Sequence, residues 1–236
     1  MKTNLLLAVL VLASTSIMAA EKDNVQKAVA NLDAQKNYSW KTTVEVPANS
    51  RFRPGPTEGK TEKGGYTWIS ISFRDNSTEA FLKGTNGAIK LPDNGWQSLA
   101  EASRDNGGGG FNPGMFAARM LENYQTPAAQ AAELAGEAKD LKAGTNGISG
   151  ELTEAGAKSL LTFRPRGGNG GPEVSNAKGS VAFWITDGKL TKFQTHVTGT
   201  VSFNGNDRDV DRTTTTEISD VNSTKISIPD EAKKKL

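Results

Sequence analysis

The sequence predicts an α+β domain, a curved antiparallel sheet with helices laid on one side. Three observations predict it. First, the last quarter alternates residue by residue: Val181, Phe183 and Ile185 point one way, and Phe193, Thr195, Val197, Val201 and Phe203 share a side opposite Gln194, His196, Thr198, Thr200 and Ser202. A period of two gives each strand one face for a core and one for water or a second layer. Second, turn pairs punctuate these segments: Asn86-Gly87, Asp187-Gly188 and Asn204-Gly205, the dipeptides that suit tight hairpins. Third, helical spacing is confined to the amino end and the middle of the chain. Helices are thus segregated from strands rather than alternating with them.

Taken in order, Glu21–Asn37 reads as a helix, with Val25, Val29 and Leu32 near helical spacing. Tyr38–Val46 switches to period two, with Tyr38, Trp40, Thr42, Val44 and Val46 on one face. Pro47–Lys60, containing Pro54-Gly55-Pro56, reads as a loop. Thr61–Phe73 reads as one strand region covered on both sides, since Tyr66 and Trp68 face one way and Ile69, Ile71 and Phe73 the other. Thr78–Lys83 and Ala88–Leu91 form a hairpin around Gly84–Gly87. After the glycine run Gly107–Gly110, Asn112-Pro113 starts a helix carrying Met115, Phe116, Met120 and Leu121. Pro127 stops it, and alanine-rich Ala128–Leu141 is expected to be helical. Ile148–Leu152 is a short strand, and Thr153 caps a short helix through Leu161. Arg164–Pro172 is a second glycine-rich loop. The alternating strands follow, then a short strand at Ile226 and Ile228 and a helical tail from Asp230 to Leu236.

Length and composition narrow the function. The 236 residues suffice for one domain with a sizeable core. Lys2, the apolar run Leu5–Ala13 and the small residues ending at Ala19-Ala20 read as a secretory signal peptide over residues 1–20. Met18 departs from the small residue preferred near the cleavage site. The apolar run falls short of the ~20 residues a membrane span needs, so the mature chain, residues 21–236, is expected to be one domain without a span, in the periplasm or secreted. Losing Lys2 leaves 27 basic residues, one fewer than the full chain's 28, against 26 acidic ones. That near-balance gives no electrostatic reason to expect nucleic acid. The chain has no cysteine, so an exported form relies on its core rather than on disulfides.

Catalytic chemistry finds little support. His196 is the single histidine, which excludes a multi-histidine metal centre, and its polar neighbours place it on a surface rather than in a histidine-based triad. Asp207, Asp209 and Asp211 share a face after Asn204-Gly205, but the glycine and distant glutamate of a calcium loop are missing, so they read as a charged hairpin tip on a sheet edge. The glycine-rich segments do not lead into a Lys-Ser/Thr helix start and are not phosphate loops. No serine sits in a nucleophile elbow and no carboxylate pair stands out. The sequence calls for no cofactor and no metal, and the chain is read as a non-enzyme.

Several short motifs do form a pattern. Asn37-Tyr38-Ser39-Trp40 follows the leading helix, Gly95-Trp96-Gln97-Ser98-Leu99 follows the first hairpin, and Phe183–Phe193 is a strand–turn–strand with Asp-Gly at its turn. Glu217–Asn222 and Ile226-Ser227-Ile228-Pro229-Asp230-Glu231-Ala232 close the chain. Over roughly residues 22–235 this resembles the LolA/LppX-like superfamily of periplasmic lipoprotein and lipid carriers. The resemblance implies an unclosed antiparallel half-barrel with helices covering the concave side, and apolar concave residues in place of a catalytic motif. On that basis the expected ligand-binding positions are Trp40, Val44, Ile69, Ile71, Phe183, Ile185 and Phe193. The expected ligand is a lipid, an acyl chain or another apolar molecule, with an acylated protein as a further possible cargo. The alternative is a non-enzymatic envelope scaffold whose cavity is filled by its own side chains and whose partner is another envelope protein.

Overall fold

The computed structural model describes residues 20–50, 53–73, 76–91, 95–104, 113–162, 172–203 and 205–236. Residues 1–19 of the expected signal segment, the glycine run at 107–110, Asn112, residues 164–171 and Asn204 lie outside that set. Eleven strands form one antiparallel, unclosed sheet. They are β1 (Asn37–Glu45), β2 (Thr57–Glu62), β3 (Thr67–Phe73), β4 (Asn76–Lys83), β5 (Asn86–Leu91), β6 (Gly95–Ser98), β7 (Ala138–Gly144), β8 (Gly147–Leu152), β9 (Glu173–Thr186), β10 (Lys189–Phe203) and β11 (Asn206–Ser219). Across the sheet the order is β6-β5-β4-β3-β2-β1-β11-β10-β9-β8-β7. Strand β1 therefore joins two meanders, pairing with β2 on one side and β11 on the other. The result is the expected α+β half-barrel, its helices on the concave side apart from the short carboxy-terminal one.

The helices are α1 (residues 20–34), α2 (Leu99–Ala102), α3 (Pro113–Glu122), α4 (Pro127–Glu137), α5 (Glu154–Leu161) and α6 (Asp230–Lys233). The inner face of the sheet and helices α1 to α4 share one apolar cluster, in which Val25, Ala28, Val29 and Leu32 of α1 meet Leu121, Ala131, Leu134 and Ala135 and the strand residues Ile69, Ile89, Val181 and Phe183. Ala128, Ala131, Leu134 and Ala135 give α4 its apolar face toward the central cluster, and Thr126 caps it by accepting from the Ala129 N–H at 3.2 Å. Helix α1 is tied across the assembly, its Asn31 side chain donating to the Gly188 carbonyl at 3.2 Å. A smaller cluster under α5 joins Ala157 and Leu161 to Ala177 and Val197. On the opposite face, Phe81 and Ala88 pack with Trp68, Trp96, Ile226, Ile228 and fully buried Ala232. Residues 80 to 82 show why two cores exist: Ala80 and Leu82 turn inward while Phe81 turns out.

The long hairpins match the sequence reading. Asp187 and Gly188 both take positive φ, 51° and 71°, as a two-residue primed turn demands. Thr153 caps α5 as expected, accepting from the Gly156 N–H at 3.0 Å. Five expectations need correction. Ala128–Leu141 is not one helix: α4 ends at Glu137, and Ala138 and Leu141 are buried in β7, where Ala138 pairs with Leu152. The loop read over residues 47–60 ends early, because β2 starts at Thr57. The single region Thr61–Phe73 is the end of β2, a turn through Gly64, and β3. Asn86-Gly87 is not the turn of its hairpin: Lys83 pairs with Asn86, so Gly84-Thr85 is the loop and Asn86 opens β5. Ile226 and Ile228 form no strand; they lie in an irregular segment held by side-chain packing on the outer face.

Candidate functional site

One cleft, of about 530 Å³, opens where the end of α1, the β2–β3 turn, the β4–β5 turn and the α3–α4 connection converge. Its size lies inside the ~300–1,000 Å³ range of small-ligand sites. Leu82, Leu99 and Leu121 supply apolar wall, all of them buried in the central cluster. Tyr38, Thr61, Thr67, Tyr124 and Thr126 bring hydroxyls to the same space. Asp33, Lys63, Lys83 and Glu122 line it as exposed residues, with Glu62 half-buried.

The local geometry starts from an absence of side chain. Gly59 of β2 lies opposite Trp40 of β1. A Cβ there would fall 2.2 Å from Trp40 Cζ2 and 2.3 Å from Cε2, so glycine is what lets the indole lie flat across β2. From that position Trp40 Nε1 donates to Thr61 Oγ1 at 3.3 Å. Tyr124 stacks on the indole with ring centroids 6.0 Å apart and 20° between planes. Tyr38 Oη accepts a long hydrogen bond, 3.5 Å, from the Ala128 N–H in the first turn of α4. Burial pushes both phenols above the usual tyrosine range, with neighbouring donors, Thr61 among them, moderating the rise. Tyr124 Oη is enclosed yet has no partner in hydrogen-bond geometry.

Of the seven residues named from sequence, Trp40, Ile69, Phe183 and Phe193 are buried in the central cluster at 6, 1, 0 and 4% exposure, with Ile71 and Ile185 packed against it. Val44 is half-buried. None of the seven lines the cleft; Trp40 comes nearest, through Thr61 and Tyr124. Tyr124 itself escaped sequence reasoning, since it sits between two helices where no periodicity marks it. Tyr38 carried a signal, its shared face with Trp40.

The other polar candidates fall elsewhere. His196 is exposed and pairs with Asp211 at 2.9 Å, while Asp209 accepts from Thr200 Oγ1 at 2.9 Å. Among the described residues no three His, Asp or Glu side chains group as a metal site. The acidic segment is a hairpin tip, but β11 is not an edge strand throughout: β1 pairs with it from Thr213 to Ser219, so residues 206–212 have a strand partner on one side, β10. No described helix is long and apolar enough to cross a membrane.

No protein-family model matches the chain, and no curated protein matches it. Solved structures do. Lipoprotein LppX of Mycobacterium tuberculosis superposes with a TM-score of 0.50 at 11% identity, covering 88% of this chain and 98% of that one. LprF from Mycobacterium bovis gives 0.45 at 12%, covering 91 and 98%, and a LolA superfamily protein from Nitrosomonas europaea gives 0.33 at 11%, covering 89 and 96%. The chain has an LppX-like fold.

Proposed function

We propose that this is an exported, non-enzymatic protein that binds a lipid, an acyl chain or another apolar ligand in the cleft under α3 and α4. The observation that carries the reading is the cleft itself: about 530 Å³ beside the helix-covered face of an unclosed sheet, with leucine and tyrosine walls. Such a site gains affinity from apolar area removed from water, roughly 25 cal/mol per Å², and its size suits one chain better than the several chains of an acylated protein. Trp40, Val44, Ile69, Ile71, Phe183, Ile185 and Phe193 lie outside the cleft lining, so a longer ligand would reach them only if α3 and α4 move off the sheet. Native mass spectrometry of protein isolated from its own cells tests this. A co-purifying lipid is the expected result; an empty protein that also fails to bind an uncharged fluorescent lipid ends the reading. Export is tested separately, by an amino terminus at or near Glu21.

One observation favours the scaffold reading: the inner face around Phe183 and Phe193 is filled by the protein's own side chains. Leu121→Trp separates the two. It blocks lipid uptake if the cleft is the site, and leaves association with an envelope protein intact if the cavity has no ligand.

A further inference from the structure

The floor of the cleft holds a donor without an acceptor. Tyr124 Oη is enclosed and unpartnered, although leaving a buried hydroxyl unsatisfied is costly. Thr61 and Tyr38 lie near it, Thr61 Oγ1 accepting from Trp40 and Tyr38 Oη from Ala128, but neither meets Tyr124 Oη in hydrogen-bond geometry. Its ring is stacked on Trp40 and the residue lines the cleft with Tyr38 and Thr61, so a ligand that parts the wall at the α3–α4 connection brings an acceptor to the enclosed hydroxyl. Building on the apolar-ligand reading, we propose that Tyr124 donates a hydrogen bond to an uncharged carbonyl oxygen of the ligand, so that the cleft takes an ester-linked acyl chain in preference to a free fatty acid.

The charges around the cleft point the same way. A carboxylate headgroup needs a cation, and the two lining lysines, each already in contact with another group, are outnumbered by three carboxylates. Lys63 Nζ donates to the Asp33 carbonyl at 3.0 Å, and Lys83 Nζ sits 4.8 Å from the centre of the Tyr66 ring. Asp33, Glu62 and Glu122 line the same cleft and repel an anion. Burial keeps the Tyr124 phenol protonated through the neutral and mildly alkaline range, so the group acts as a donor and not as a charge.

Displacement of Nile red from the purified protein by tridecane, methyl laurate and laurate tests the proposal. A hydrogen bond of ordinary net strength predicts that methyl laurate binds about threefold to tenfold better than tridecane, and that laurate binds more weakly than its ester. Tyr124→Phe keeps the stacked ring and removes only the hydroxyl, so the ratio of methyl laurate to tridecane affinity should fall to about one, read against the variant's own Nile red affinity. Because the hydroxyl has no partner in the unliganded protein, the variant should also melt at or above the wild-type temperature. Tighter binding of laurate than of methyl laurate, an ester preference that survives in Tyr124→Phe, or a melting point lowered by more than about 3 °C would each overturn the proposal. If neither Nile red nor tridecane binds wild-type protein, the apolar-ligand reading itself falls.

Discussion

Replacing Gly59 with alanine adds one methyl group, and the structure says where it goes. The new Cβ would lie 2.2, 2.3 and 2.7 Å from Cζ2, Cε2 and Nε1 of Trp40. All three distances are far inside van der Waals contact, and the indole is only 6% exposed, so it cannot swing freely into water. It has to lift off β2. That motion stretches the bond to Thr61 and disturbs the stack with Tyr124. Overpacking a core costs about 1–3 kcal/mol, a lost hydrogen bond about 1 kcal/mol, and an aromatic pair about 0.5–1.5 kcal/mol. The three losses come from one displacement and do not add in full, so the expected destabilisation is about 2–4 kcal/mol. For a chain of this length that lowers Tm by about 4–16 °C. Circular dichroism melts give the stability, and tryptophan emission reports the indole leaving its site. Trp40→Phe supplies the control. With the larger ring gone, adding Gly59→Ala should cost at least 1 kcal/mol less than in wild type, a coupling of the size expected for residues in contact. A Gly59→Ala protein melting within about 2 °C of wild type, or one equally destabilised in the Trp40→Phe background, would refute the argument.

Thr153→Ala removes the cap of α5 and should cost about 1 kcal/mol, at most about 2 kcal/mol, lowering Tm by a few degrees; an unchanged melt would show that the Gly156 N–H finds another partner. The raised phenols give an alkaline signature. Unfolded tyrosines ionise near pH 10, while buried Tyr38 and Tyr124 resist, so their contribution is complete below about pH 10 and falls by about 1.4 kcal/mol per pH unit per group above it. Urea melts on either side of that pH should show the decline, and Tyr124→Phe should make it shallower. At the acid end, the Ser98 backbone N–H and then Lys235 hold Glu101 below its ordinary value, so its contribution is present at neutral pH and disappears as pH falls through the lowered pKa. Glu101→Gln should therefore melt lower than wild type at neutral pH and converge with it in acid; a constant gap at every pH would contradict the assignment.

What could be read from the sequence followed the strength of its periodicity. Strands β9 to β11 carry 14 or 15 residues each, enough for alternation to declare itself, and Asp187-Gly188 marks the turn between two of them. β2 hid because Thr57–Glu62 contains no large apolar residue. Its inward positions are Gly59 and Thr61, which accommodate the indole of the neighbouring strand rather than contribute bulk of their own. β7 hid behind alanine and lysine, whose helical preference was overridden by pairing with β8 and a bulge in which Asp140 takes φ 49°. The cleft was not legible in the sequence. The aromatic and aliphatic inward positions were found, yet sequence could not tell which would be sealed by helices and which would border open space, because that depends on contacts between α3 and a hairpin distant in the chain.

The two halves of the sheet differ in packing, and the proposed ligand falls in only one of them. On the β9–β11 side long strands lie under α4 and α5, and Phe183, Val181 and Val197 are at most 2% exposed; a ligand there would have to displace packed side chains, losing the contacts it hoped to gain. On the other side β2 to β6 run 4 to 8 residues, too short to carry their turns beyond the helices, and the cleft forms between those turns and α3. Strand β1 belongs to both halves. Its Tyr38 lines the cleft and its Trp40 stacks with Tyr124, while its pairing with β11 from Ser39 to Glu45 ties both to the other half. On this division a substitution at Tyr124, which borders open space, should alter selectivity, whereas substitutions at Gly59 and around Phe183, which border packed side chains, should alter stability.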